Sequence, residues 1–319
     1  MIEDLKLKVL NGYQINKAEA LILVHEDLSK LTLYANEIRN KFCGDTFDVC
    51  SIINGKSGKC SEDCKYCAQS SYYKTTIQEY QLLSANKIVA EALHNHSKGI
   101  LRFSIVTSGR KLTDDELSQV CDSYRKIKEK CDIYLCASHG LLSYEQLVKL
   151  KQAGVSRYHC NIETSRKNFH NICTTHTYDD KINTIKNAKK AGLEVCSGFI
   201  IGMGETIEDR VEMLLDLREL NIKSVPINIL TPIKATPYEN ILVLKEDEIC
   251  RIIAVSRFIL PKAMIRLAGG RGLFKDKGKS MLNSGANAAI SGDMLTTTGI
   301  SIDEDMKMIS QLGFKVRKI

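Results

Sequence analysis

From residue 48 to residue 291 the chain alternates short apolar runs with longer runs of helical period. The strand candidates are Asp48–Ile53, Leu101–Thr107, Ile133–Ala137, Arg157–Ile162, Glu194–Ile201, Ser224–Leu230, Ala263–Ala268 and Ala288–Ser291. Between them lie helix candidates at Ala85–His96, Asp114–Lys130, Tyr144–Ala153, Asp179–Ala191, Ile207–Leu220 and Glu246–Leu260, and a short one near Gly278–Ser284. A strand that must return parallel to its neighbour needs a helical crossover, and such units close into a (β/α)8 barrel. Gly99, Gly154 and Gly192 stand where a helix ends and a strand begins, as a C′ glycine should. Residues 1–46 read as an N-terminal helical extension, with Asn16 capping KAEALILVHE. Residues 47–319 read as the barrel with a C-terminal segment ending in a helix at Glu304–Leu312. In such a barrel chemistry gathers at the C-terminal ends of the strands and in the loops after them.

The loop after the first strand carries Cys60, Cys64 and Cys67 at C-x3-C-x2-C spacing. A structural zinc site wants four protein ligands, and a ferredoxin-type cluster four cysteines. Three thiolates can hold three irons of a 4Fe–4S cluster and leave the fourth iron open to a substrate or cofactor. The chain has 12 cysteines, and its start, MIEDLKLKVL, has no apolar signal region. No window is apolar enough to span a bilayer. The expectation is a cytoplasmic, oxygen-sensitive protein whose clustered cysteines bind metal instead of forming disulfides. The net charge of +7 is spread along the chain with no basic block interleaved with aromatics, which argues against nucleic acid and for an anionic small molecule.

Two further stretches carry polar chemistry. Strand alternation puts His159, Asn161 and Glu163 on one face of the fourth strand. Buried Asn and Glu are costly unless paired, so they serve either a polar ligand or a polar barrel layer. Gly198, Gly202 and Gly204 precede Glu205 at the end of the fifth strand, where glycine lets backbone approach a ligand or simply makes a turn.

Taken together, SGKCSEDCKYCAQSS, NIETSRKNFHNICTTHTYDD, VCSGFIIGMGET, PINIL and IRLAGGR resemble, in order, the biotin synthase family of radical S-adenosylmethionine (SAM) enzymes. The resemblance runs from about Asp48 to Thr297. It implies that Cys60, Cys64 and Cys67 hold the 4Fe–4S cluster and that SAM chelates its open iron. Tyr66, Asn161, Glu163 and the Gly202 region would then border SAM. His176 stands where an arginine is expected, so it would offer the SAM carboxylate a weaker contact in place of a bidentate grip.

The resemblance also implies an auxiliary cluster, 2Fe–2S or larger, as the sulfur source. Cys136, Cys196 and Arg266 match three of its ligands, and Ser104 stands where the family has a cysteine. Ser104 itself, Cys160, Cys173 or a non-protein ligand are the candidates to complete it. Regular alternation turns Cys160 away from Asn161 and Glu163. Cys43, Cys50, Cys121, Cys131 and Cys250 read as structural.

For dethiobiotin, the implied contacts are Asn161, Asn228, Thr296 and Thr297. The expected function is radical sulfur insertion converting dethiobiotin to biotin, with no side chain acting as a conventional acid or base. A flavodoxin or ferredoxin would supply electrons, and a homodimer is the expected assembly. The alternatives are a mutase or maturase of the same build without sulfur insertion, which Ser104 favours, and an iron–sulfur carrier that does not cleave SAM.

Overall fold

The computed structural model describes residues 1–317; the last two residues of the 47–319 unit lie outside the described part. Its strands are β1 (Thr46–Lys56), β2 (Arg102–Thr107), β3 (Tyr134–Ser138), β4 (Val155–His159), β5 (Glu194–Cys196), β6 (Phe199–Ile201), β7 (Ser224–Ile229), β8 (Met264–Leu267), β9 (Ala288–Ile290) and β10 (Lys315–Val316). Every ladder in the barrel is parallel, and β9 pairs β1 through Asp48↔Ala288, which closes the ring. The expected (β/α)8 barrel is what forms, because a parallel sheet is stable only when helices cover its outer face.

The helices are α1 (Ile2–Leu10), α2 (Lys17–Leu23), α3 (Leu28–Cys43), α4 (Ala85–Ser97), α5 (Asp114–Lys130), α6 (Tyr144–Gln152), α7 (Phe169–Ile172), α8 (Tyr178–Lys190), α9 (Ile207–Glu219), α10 (Glu246–Ile259), α11 (Lys279–Leu282) and α12 (Ile302–Gln311). Four barrel helices begin with reciprocal capping boxes, Thr113/Glu116, Ser143/Gln146, Thr177/Asp180 and Thr206/Asp209. Each box satisfies two otherwise orphaned amides, so the loop leaving the preceding strand arrives at a fixed point. Asn16 caps α2 in the same way, as its sequence suggests. α3 and α2 pack on α10 and α9, and their buried Leu31, Ala35 and Ile38 belong to the barrel's own hydrophobic core.

Two strands depart from expectation: β4 ends at His159, short of the expected Ile162, and the fifth is broken. The run 194–201 is interrupted at Ser197–Gly198, giving β5 and β6. Gly198 lies against the Pro226 carbonyl, where an added Cβ would meet the oxygen at 1.8 Å. Its amide donates to Asn161 Oδ1 at 2.9 Å and so leaves the ladder. The break lets Asn161 reach across from the end of β4.

Candidate active site

After β1 the chain turns through Gly58 (φ +78°) and Lys59 (φ +51°) into the cysteine loop. The Cys60 amide donates to Gln69 O at 3.0 Å and the Ser71 amide to Cys60 O at 2.8 Å, which closes the loop. Ser70 Oγ pins the Glu62 carbonyl at 2.6 Å. Cys60 and Cys64 are buried and Cys67 is half-buried, and all three are free thiols. Burial pushes Cys67 up to about 11 and Cys60 above its ordinary value. Cys64 also stands well above it, through its hydrogen bond to Cys173 and then burial. Such thiols stay neutral until a bound cation takes the proton's place.

A second set of groups meets this loop from the segment after α7. Cys64 Sγ donates to Cys173 Sγ across 3.7 Å, and Cys173 lies 3.2 Å from His176 Nδ1. Cys64, Cys173 and His176 form one tight group. His176 Nδ1 sits 2.6 Å from Glu62 Oε2, while the Thr174 amide donates to Asp63 Oδ1 at 2.8 Å. The hydrogen bond from Cys64 pulls the Cys173 thiol down to about 4, against burial and with help from His176.

From the loop a cavity of about 350 Å³ runs into the barrel. Tyr66, Asn161 and Glu163 line its upper wall, with Lys181 of α8 at 3.7 Å from Glu163 Oε1. Glu163 has φ +66°, a left-handed conformation costly for a residue with a Cβ, held by the Ile200 amide donating to its carbonyl at 2.9 Å. Strain of that kind concentrates where a side chain must be aimed at a ligand. Asn228 lies on the same cavity, with Oδ1 accepting from the Gly269 amide at 3.0 Å, and Thr296 and Thr297 border it from the segment after β9.

The floor is built by inward residues of successive strands. Ser104 pairs with Cys136, His159 with Cys196, and Pro226 with Arg266, so Ser104, Cys136, Cys196 and Arg266 face one space. Beneath them Asp48 receives Arg102 at 3.1 Å, Arg266 at 2.7 Å and Arg157 at 3.3 Å. Burial works to raise the Asp48 carboxyl, but the three guanidiniums outweigh it and hold it below the usual range. Arg157 also pairs with the more exposed Glu194 at 2.8 Å. Three guanidiniums against two carboxylates leave an excess of positive charge facing the thiols. Burial opposes the Cys196 thiolate, yet His159, Arg266 and Arg157 bring its thiol below the ordinary value.

The expected residues fall into two groups. Tyr66, Asn161, Glu163, Asn228, Thr296, Thr297, Ser104, Cys136, Cys196 and Arg266 meet on the cavity. His176 joins the cysteine loop instead. Gly202 does not reach the cavity wall; it turns at φ +97° and its amide is held by Glu205 Oε1 at 2.8 Å. Cys173 belongs to the loop and not to the floor, and Cys160 borders the cavity near Lys181 and Glu163. Cys160 faces the cavity despite the alternation because β4 ends at His159. Lys181 lines the cavity and escapes the sequence reading, and Cys50, which reads as structural, lines it too, in the inward phase of Asp48 and Ile52 on β1.

Both donor sets suit iron–sulfur clusters. The loop offers three free thiols on one short segment, and the floor offers soft thiols beside a cationic base, the pairing that favours an anionic iron–sulfide group. The Ser104 hydroxyl, buried on that floor without a hydrogen-bond partner, is the kind of orphan a bound group would satisfy.

A closed parallel barrel with a three-thiol loop after its first strand and a cavity beneath it defines an enzyme of the radical SAM class. The Radical SAM superfamily model matches residues 56–217, and that of the Biotin and Thiamin Synthesis associated domain matches residues 226–315. Over its full length the chain belongs to the biotin synthase family. It is 60% identical to a biotin synthase of Clostridium botulinum (strain Alaska E43 / Type E3) across 99% of both chains. It is 59% identical to that of the Hall strain of the same species across 98% of both. The fold is also that of methylornithine synthase, with a TM-score of 0.86 at 20% identity over 98% of this chain and 97% of the other. Family membership brings a 4Fe–4S cluster, SAM, a small-molecule substrate and a need for reductant. Among the described residues no helix is long and apolar enough to cross a membrane.

Proposed function

We propose that this chain inserts sulfur into dethiobiotin to make biotin, by radical SAM chemistry drawing on an auxiliary cluster for sulfur. When bound, the loop cluster reduces SAM to a 5′-deoxyadenosyl radical, and the auxiliary cluster supplies sulfide. Cys60, Cys64 and Cys67 hold the first. Cys136, Cys196 and Arg266 hold the second, with Ser104 beside it. The cavity that runs from Tyr66 of the cysteine loop to the floor of Cys136, Cys196 and Arg266 carries the reading, because a substrate in it lies between the two donor sets.

In this reading Tyr66, Asn161 and Glu163 position SAM. Lys181, 3.7 Å from Glu163 Oε1, keeps that carboxylate aimed. His176 and the Gly202 turn act at one remove, by ordering Glu62 and Glu205. Asn161 and Asn228 orient the ring of dethiobiotin, and Thr296 and Thr297 hold its acid tail. No proton transfer is asked of any side chain during hydrogen abstraction; selectivity comes from holding the carbon against the radical and excluding water. The auxiliary cluster is 2Fe–2S or a larger variant. Residues 1–46 act as an extension clamped on the 47–319 barrel, and the enzyme works as a cytoplasmic homodimer reduced by a flavodoxin or ferredoxin.

Anaerobic reconstitution with iron, sulfide, SAM, reductant and dethiobiotin tests the reading. Biotin should form together with deoxyadenosine. Deoxyadenosine without biotin would discard the substrate while leaving the radical SAM class, and would favour a mutase or maturase.

A further inference from the structure

We propose that Cys50 of β1 is a ligand of the auxiliary cluster, supplying the thiolate that β2 lacks at Ser104. The proposal rests on the reading of the cavity floor as an iron–sulfur site.

The barrel's register carries the argument. Inward positions on β1 are Asp48, Cys50 and Ile52, and Ile52 is the partner of Ser104. Cys50 is the partner of Arg102, one inward position nearer the floor. Its side chain lines the same cavity as Cys136 and Cys196 and is buried. The Cys50 and Cys136 thiols line this one cavity and perturb each other more than any other group does, although β2 separates their strands. Arg266, the matched arginine, lies against both Cys50 and Cys196. Three thiols and one guanidinium therefore converge from β1, β3, β5 and β8.

The competing ligands are elsewhere or chemically poorer. Cys173 is bonded to Cys64 at the cysteine loop. Cys160 donates its amide to Cys196 O at 3.0 Å, but its thiol borders the cavity beside Lys181 and Glu163. Ser104 faces the floor, but an alkoxide is harder and far more basic than a thiolate, and soft ligands select iron–sulfur clusters. Its orphaned hydroxyl is better suited to donating a hydrogen bond to a cluster sulfide, which tunes potential without ligation. Binding exchanges the Cys50 S–H bond for S–Fe and releases a proton, with no change of oxidation state. The shift of one ligand from β2 to β1 also draws the cluster toward the Asp48 floor, where the excess of guanidinium charge offsets its negative charge.

Cys50→Ala, Ser104→Ala, Cys121→Ala and the double variant Cys50→Ala/Ser104→Cys are reconstituted anaerobically. Iron and acid-labile sulfide are counted, and Mössbauer spectra are recorded. Wild type, Ser104→Ala and the helix control Cys121→Ala should carry two clusters. Cys50→Ala should fall to the iron and sulfide of a single 4Fe–4S cluster, and the double variant should recover the second. Should Cys50→Ala fail to fold, Cys50→Ser offers a near-isosteric oxygen and gives the same readout. Two intact clusters in the folded Cys50 variant, or loss of the second in Ser104→Ala alone, overturns the assignment. A wild-type protein with only one cluster overturns the auxiliary-cluster reading itself.

Discussion

Cys64 Sγ stands 3.7 Å from Cys173 Sγ, joining a thiol of the cysteine loop to one 109 positions away in sequence. The pair is unsymmetrical. Cys173 is drawn down to about 4, and Cys64 stands well above the usual thiol value. A thiolate beside a neutral thiol is poised for oxidation. In cluster-free protein, diamide should take up two hydrogens and leave a Cys64–Cys173 disulfide, found by peptide mapping. Loading the cluster first should prevent it, because Cys64 is then bound to iron. Cys173→Ala should abolish the cross-link and leave a loop that still loads iron after diamide treatment. Equal labelling of both thiols by iodoacetamide after diamide would count against the pairing.

Asp48 is the common acceptor for Arg102, Arg157 and Arg266 at the barrel floor. Removing one member of a buried ion network leaves uncompensated charge, at a cost of roughly 3–5 kcal/mol. Asp48→Asn keeps the shape and removes the charge. It should lower the urea midpoint of cluster-free protein by a corresponding amount, with the barrel's far-ultraviolet circular dichroism retained below the transition. A midpoint equal to wild type would show that the arginines are neutralised by other groups.

The barrel was legible because its information is local. Strand runs alternate with helices that begin at capping boxes such as Thr113/Glu116, and each signal spans only a few residues. The cysteine loop was legible for the same reason, with its three thiols inside eight positions. What stayed hidden depends on register. Whether Cys50 faces the cavity or the helices is a question of one residue's phase on β1, and a slip of one position reverses it. The Cys64–Cys173 contact is purely tertiary. The break at Gly198 arises from Pro226 on a neighbouring strand, so nothing near Gly198 announces it. Gly202 reads as a ligand-facing glycine, yet its amide is taken by Glu205, three residues on.

His139 is fully buried between Thr107 Oγ1 at 2.9 Å and the Tyr124 hydroxyl at 3.1 Å, and burial lowers its imidazole from the ordinary 6.5 to about 3. The unfolded chain binds this proton more readily than the folded one. Stability from the neutral ring is therefore complete above pH 6.5 and declines as pH falls toward 3. Thermal midpoints of cluster-free protein should drop on acidification across this interval. In His139→Gln the drop should be shallower, since the variant cannot take up the proton. An identical pH slope in both proteins would assign the acid sensitivity to other groups.

Glu163 offers the most direct test of how SAM is held. Its left-handed backbone and its ion pair with Lys181 fix one carboxylate on the cavity wall close to Tyr66 and Cys67. A carboxylate can accept two hydrogen bonds from vicinal hydroxyls such as those of a ribose, and bonds to a charged acceptor contribute about 1.5–3 kcal/mol. Glu163→Gln should weaken SAM binding by about tenfold or more, read as a raised KM for SAM in deoxyadenosine formation. Iron content and the loop cluster's spectrum should be unchanged, because no cysteine ligand bonds to this carboxylate. Glu163→Asp, a methylene shorter, should recover little, since the backbone aims the longer side chain. Unaltered SAM affinity in Glu163→Gln with impaired iron loading would instead make Glu163 a support for the loop and move SAM recognition to Asn161 and Tyr66.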